Sequence, residues 1–248
     1  MKSKILLEQV TIVCISGVNI KKSIYALWRS SQNIKFANIL LITNKKIDYS
    51  PKWLNIELAI NNSLNSIDAY SYYCVYTLHK HIKTNHVLIV QADGYVVNSK
   101  KWNDNYLNYD YIGAPWKIRS DSYIDPFGNH HRVGNGGFSL RSRKLLEVPL
   151  NKNIIWNINE GNFFKHMNAD DQAEDGIICI HNRHLYIEAG CKFAPLEVAL
   201  TFSREQNIPE NCNLKTFGFH KTLPSIKLNL VEYMYKAIFN LLFLIKKL

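Results

Sequence analysis

The spacing of apolar residues changes along the chain. Val10 to Gly17 (VTIVCISG) is a continuous apolar, β-branched run that ends in glycine. Such a run predicts a strand buried on both faces, as in a parallel sheet. Lys21 to Gln32 follows with helix-compatible residues that include Ile24, Leu27 and Trp28. Ala37 to Thr43 (ANILLIT) predicts a second strand and Trp53 to Ile60 a third. Ile67, Tyr70, Cys74, Leu78 and Ile82 then recur at helical spacing, with Ser66 placed to cap the helix. His86 to Gln91 (HVLIVQ) predicts a fourth strand that runs straight into Ala92-Asp93-Gly94. Strands alternating with helices predict an α/β fold, a mostly parallel central sheet flanked by helices. Ligands of such sheets bind beyond the carboxyl ends of the strands, where Asp93 falls. Asp-Gly is also a turn former, so this position reads equally as a turn or as a ligand.

The second half has a different texture. Residues 115–137 are rich in Gly, Asp, Asn and His, lack periodicity and predict a long loop. That stretch runs into Gly134-Asn135-Gly136-Gly137, where the glycines imply either close backbone approaches or a tight turn. The spacing fits neither a P-loop nor a dinucleotide fingerprint. Asp170, Asp171, Glu174 and Asp175 crowd in front of an apolar run, Ile177 to Ile180. Acids favour a helix start, yet four close like charges repel, and one of them is a candidate general base. His220, in Phe217-Gly218-Phe219-His220, is structural or a metal ligand. From Leu228 to Leu248 apolar residues alternate with lysines and predict an amphipathic helix of about 20 residues. It is suited to cover the body, to pair with another copy, or to lie on an anionic membrane surface. The chain therefore divides into a domain over 1–225 and a terminal helix over 226–248.

Composition narrows the picture. Of 248 residues, 47% are apolar and 20% charged, which excludes disorder and a coiled-coil rod. A net charge of +10 suits an anionic partner. The lysines are dispersed and no basic-aromatic motif occurs, which argues against nucleic acid. Five cysteines without a CxxC pair predict neither a zinc site nor a disulfide framework, and so a reducing cytosol. The N-terminus lacks the apolar stretch of a signal peptide, and no run of 18 apolar residues predicts a spanning helix.

Five strings then occur in order: QADGYVVNSKKWND (91–104), YDYIGAPW (109–116), GNGGFSLRSRKLLE (134–147), ED (174–175) and FGFHK (217–221). Together they resemble a family of bacterial proteins related to GT-A glycosyltransferases, over roughly residues 8–222. The resemblance implies a GT-A-like fold and a nucleotide-sugar-dependent transferase, inverting in mechanism, that adds a sugar to lipopolysaccharide, capsule or a similar surface glycan. It implies a divalent ion, Mn²⁺ or Mg²⁺, on Asp93 and His220, with Gln91 standing where the family's usual first acid would be. Asp175 matches the general base, with Glu174 beside it. Ser16, Asp68, Asn135, Gly136, Gly137 and Lys221 are implied donor contacts, Tyr111 and Trp116 candidates for stacking on sugar rings, and Arg132 and Arg141 for the diphosphate. The implied partners are a nucleotide-sugar donor and a glycan or lipid-linked acceptor, met in the cytoplasm or at the inner membrane face. A sugar nucleotidyltransferase and a non-catalytic nucleotide-sugar-binding protein are the alternatives.

Overall fold

A computed structural model describes residues 4–47, 51–58, 64–118, 123–156, 173–221 and 226–244. The first half contains β1 (Ile5–Ile15), α1 (Ile20–Ser30), β2 (Ile34–Thr43), β3 (Asn55–Leu58), α2 (Ile67–Tyr76) and β4 (His86–Val90). The second contains β5 (Tyr111–Pro115), β6 (Val133–Ser142), α3 (Arg143–Asn151), α4 (Glu174–Gly176), α5 (Arg183–Glu188), α6 (Leu196–Phe202), β7 (Ser203–Arg204), β8 (Gly218–Phe219) and α7 (Ile226–Leu244). Six strands form one sheet in the order β3-β2-β1-β4-β6-β5. The first four are parallel, β6 runs antiparallel to β4, and β5 antiparallel to β6.

The unbroken apolar runs have a plain cause. Val13, Ile15, Leu40, Ile42, Val87 and Ile89 feed a core on one face, with α2, α3 and Ile177 to Ile180. Their neighbours Val10, Ile12, Cys14, Leu41, Leu88 and Val90 feed a second core on the other face, with α1 and α6. Successive side chains of a strand alternate between faces, so a sheet covered on both sides needs apolar residues at every position.

Several expectations shift. The strands predicted from Val10 and Ala37 begin earlier, at Ile5 and Ile34. Ser66 caps α2 as its spacing predicts, its side chain accepting from the Ala69 N–H. The helix ends at Tyr76, however, and Leu78–His81 tighten into a 3₁₀ turn. The predicted loop over 115–137 is partly strand, because Gly134 to Gly137 lie inside β6. Asp170 and Asp171 lie outside the described residues.

The terminal helix packs against α1. Glu232 is buried and accepts hydrogen bonds from Arg29 Nε (2.9 Å), Arg29 Nη2 (2.6 Å) and the Tyr25 hydroxyl (3.0 Å). Tyr235 covers the Arg29 guanidinium, and Phe239 meets Tyr25 edge to face.

Candidate functional site

The site starts at the end of β4. The Gln91 N–H donates to the Gly94 carbonyl and the Gly94 N–H to the Gln91 carbonyl, each at 3.0 Å. Ala92 and Asp93 therefore form the tip of a two-residue turn at the carboxyl edge of the sheet. Asp93 is at once a turn residue and an outward-aimed carboxylate, its side chain 59% exposed. The register pairs Ile89 with Ser139, so Asn135 to Gly137 of β6 run on past the end of β4, alongside this turn.

A second short sheet delivers the histidine. β7 and β8 pair in parallel, and Gly218 bridges to Val96. The Lys221 N–H donates to the Asp93 carbonyl (2.9 Å), which clamps the segment after β8 to the β4 turn. Lys221 takes a φ of +62°, a left-handed conformation that non-glycine residues seldom adopt and that costs about 1–3 kcal/mol. His220 Nε2 lies 3.0 Å from Gln91 Oε1 and 3.6 Å from Asp93 Oδ1. Its Nδ1 lies 3.3 Å from Glu205 Oε1.

Glu205 had no sequence signal. It follows β7, is 4% exposed, and binds Lys221 Nζ (2.9 Å) and Asn135 Nδ2 (2.6 Å). Burial would raise its carboxyl pKa, but His220 and Lys221 outweigh that and hold it below the ordinary value. Burial would lower the Lys221 pKa, and the carboxylates of Glu205, Asp175 and Asp93 raise it instead.

The acidic pair opens α4. Glu174 binds buried Arg141 (2.8 Å) and faces the Ser71 hydroxyl (3.4 Å). Asp175 is held by backbone donors instead. Its Oδ2 accepts from the Gly136 N–H (3.1 Å) and its Oδ1 from the Gly176 N–H (2.8 Å). Its pKa is raised from 3.8 to about 7, first by burial and then by the charge of Glu174 beside it. The two backbone donors oppose that rise without cancelling it.

The glycines are explained by close approach. A Cβ on Gly137 would lie 2.3 Å from His220 Cε1 and Nε2, one on Gly136 2.1 Å from Glu174 Oε1, and one on Gly134 2.0 Å from Trp116. Asp93, His220 and Asp175 thus gather around one stretch, Gly136-Gly137. Asn135 belongs to the same group through Glu205.

Two clefts meet at Asp93. One, of about 280 Å³, is lined by Cys14, Ser16, Asn65, Tyr70, Gln91 and Asp93. The other, of about 630 Å³, lies between α1 and α7 and includes Lys21, Lys22, Lys221 and Lys236. Ser16 Oγ also accepts from the N–H groups of Val18 and Asn19. Asp68, in the first turn of α2, lines neither cleft.

Three candidates are corrected. Arg141 is fully buried and committed to Glu174, so it is no diphosphate partner. Tyr111 is fully buried and donates its hydroxyl to the Gly134 carbonyl (2.6 Å). Trp116 is buried against Gly134 and stacks on Tyr123, so neither ring is open to a sugar. Arg132 binds Glu210 and the Trp116 carbonyl.

Among the described residues no group of three or more His, Cys, Asp and Glu is arranged to hold a metal ion. Asp93 and His220 offer one carboxylate and one imidazole, with a carboxylate, Glu205, behind the second ring nitrogen. The donor set fits a two-ligand site that phosphate oxygens and water complete.

The fold is a GT-A-like α/β arrangement, with a mainly parallel sheet, flanking helices and a C-terminal helix. The family model described as "Protein of unknown function (DUF5672)" matches residues 54–220, and the chain belongs to that family. No curated protein matches it by sequence. An active-site mutant of LgtC has a similar fold: TM-score 0.52, 12% identity, 92% of this chain and 95% of that one covered. A glycosyltransferase involved in glycosylation of the major capsid of PBCV-1 aligns at TM-score 0.46 and 12% identity, covering 90% and 98%. HddC from Yersinia pseudotuberculosis aligns at 0.37 and 16%, covering 55% and 78%.

Proposed function

We propose that this protein is a nucleotide-sugar-dependent glycosyltransferase that inverts the anomeric centre and adds a sugar to a bacterial surface glycan. The observation that carries the reading is the Asp175 carboxylate, with a pKa near neutrality, fixed on Gly136 next to the Asp93–His220–Lys221 group. The nucleotide fits the cleft at Ser16 and Asn65, which leads to Asp93. Lys221 brings positive charge to the donor diphosphate. Asp93 and His220 would hold a Mn²⁺ or Mg²⁺ ion, which when bound supplies positive charge against the leaving group. Asp175 takes the proton of the acceptor hydroxyl as the new C–O bond forms and the bond from the anomeric carbon to the diphosphate oxygen breaks. The acceptor thus enters opposite the departing nucleoside diphosphate. Glu174 is held by Arg141 and positions its neighbour rather than accepting a proton.

A thermal-shift panel of sugar nucleotides, with and without Mn²⁺, tests this. One donor should raise the wild-type melting temperature, and the Asp93→Ala variant should lose the metal-dependent part of that shift. If no sugar nucleotide stabilises the wild type, the reading is wrong; if Asp93→Ala responds like the wild type, the role of Asp93 is wrong.

A further inference from the structure

Glu205 has no part in the proposed reaction, yet polar groups from both sides of the site converge on it. The Arg204 carbonyl accepts from the His220 N–H (2.8 Å), and this pairing at the ends of β7 and β8 sets the next residue, Glu205, against His220 and Lys221. One carboxylate oxygen, Oε1, lies 2.9 Å from Lys221 Nζ and 3.3 Å from His220 Nδ1. The other, Oε2, accepts from Asn135 Nδ2 at 2.6 Å. Both oxygens are engaged, a demand that a carboxylate meets and that an amide, with a single oxygen, does not. The Glu205 side chain is 4% exposed and that of Lys221 63%. The pair thus runs from a sealed anion to an open cation. An ammonium has three N–H donors. One engages Glu205, and the others are left for an anion in the cleft that Lys221 lines. The backbone of Lys221 is fixed as well, by its left-handed φ of +62° and its N–H on the Asp93 carbonyl. On its other side Glu205 holds Asn135, the residue before Gly136, whose N–H carries the Asp175 carboxylate (3.1 Å).

We propose that Glu205 is a positioning residue that joins the two halves of the site: it fixes the Lys221 ammonium for the donor diphosphate and, through Asn135, the Gly136 N–H on which Asp175 rests. This deepens the transferase reading and rests on it. Charge and position predict opposite results. By Coulomb's law alone, removing an anion beside Lys221 strengthens binding of another anion; loss of position weakens it. The test is calorimetry of the full chain with inorganic pyrophosphate and a panel of nucleoside diphosphates, each with Mn²⁺. Glu205→Gln should weaken binding of the best probe about tenfold or more. In a Lys221→Met background the same change should cost at most about threefold, because the group it positions is gone. Glu205→Asp keeps the charge and should still weaken binding about threefold or more through its shorter reach. Should Glu205→Gln fail to fold by circular dichroism, Glu205→Asp carries the same comparisons. Hydrogen exchange without ligand reads the base side: the Gly136 N–H should exchange about tenfold faster in the variant than in wild type, with the amides of β1 unchanged. Wild type that binds none of the probes overturns the transferase reading and this proposal with it. Binding by wild type, with the Glu205 variants as tight or tighter, overturns the proposal alone. So does an equal loss with and without Lys221, which would make Glu205 a support of the fold only, and so does unchanged Gly136 exchange.

Discussion

Asp175 concentrates the energetic conflict of the site. Its carboxyl titrates near 7 because burial and Glu174 disfavour its charge, while the unfolded chain would ionise it near the ordinary value of 3.8. The native state therefore holds the proton more tightly, and stability supplied by the neutral carboxyl is lost as pH rises from about 4 through about 7. Asp175→Asn keeps the shape and removes that cost. Calorimetry at pH 8 should find it melting at least ~2 °C above wild type, with the difference vanishing near pH 4; an equal or lower melting temperature at pH 8 would contradict a raised pKa. Gly137 makes a second prediction. Alanine there drives a Cβ into the His220 ring. The imidazole must leave Asp93, so Gly137→Ala should weaken Mn²⁺-dependent donor binding tenfold or more by calorimetry, and unchanged affinity would remove His220 from the ion site.

At the scale of elements, the buried Arg29–Glu232 pair ties α7 to α1. Removing one partner strands the other charge in an apolar setting, so Glu232→Ala should cost about 3–5 kcal/mol in urea unfolding. A loss below about 1 kcal/mol would mean that α7 does not dock as described. Elements also show where sequence reading stops. β1, β2 and β4 were legible because unbroken apolar runs fit a sheet covered on both faces, whereas the edge strand β3 is short and mixed, NIEL. The place of Asp93 was legible because it follows the apolar run of β4. Glu205 was not, since its importance comes from pairing of two-residue strands, β7 and β8, too short to leave a period. The Gly134–Gly137 strand was mistaken for part of a loop because three of those four residues are glycines, with no side chains to alternate. Arg141 read as a candidate for the diphosphate, and only the fold shows it sealed against Glu174.

Over the whole molecule, three distant segments converge on one edge of the sheet. The β4 turn brings Asp93, the segment after β8 brings His220 and Lys221, and α4 brings Asp175, with Gly136 and Gly137 of β6 as the surface between them. The lysine-lined cleft between α1 and α7 adjoins the same edge at Asp93. In the proposed reaction Asp175 removes the acceptor's proton while other groups bind the donor. The most direct measurement is sugar transfer by Asp175→Asn against wild type, alongside donor affinity, across pH 5.5 to 8.5. Wild-type kcat/KM should rise with pH through about 7, where the base becomes ionised, and Asp175→Asn should bind donor normally while transfer falls by ~10²–10⁴-fold or more. Transfer at the wild-type rate in Asp175→Asn, with the same pH profile, would contradict it.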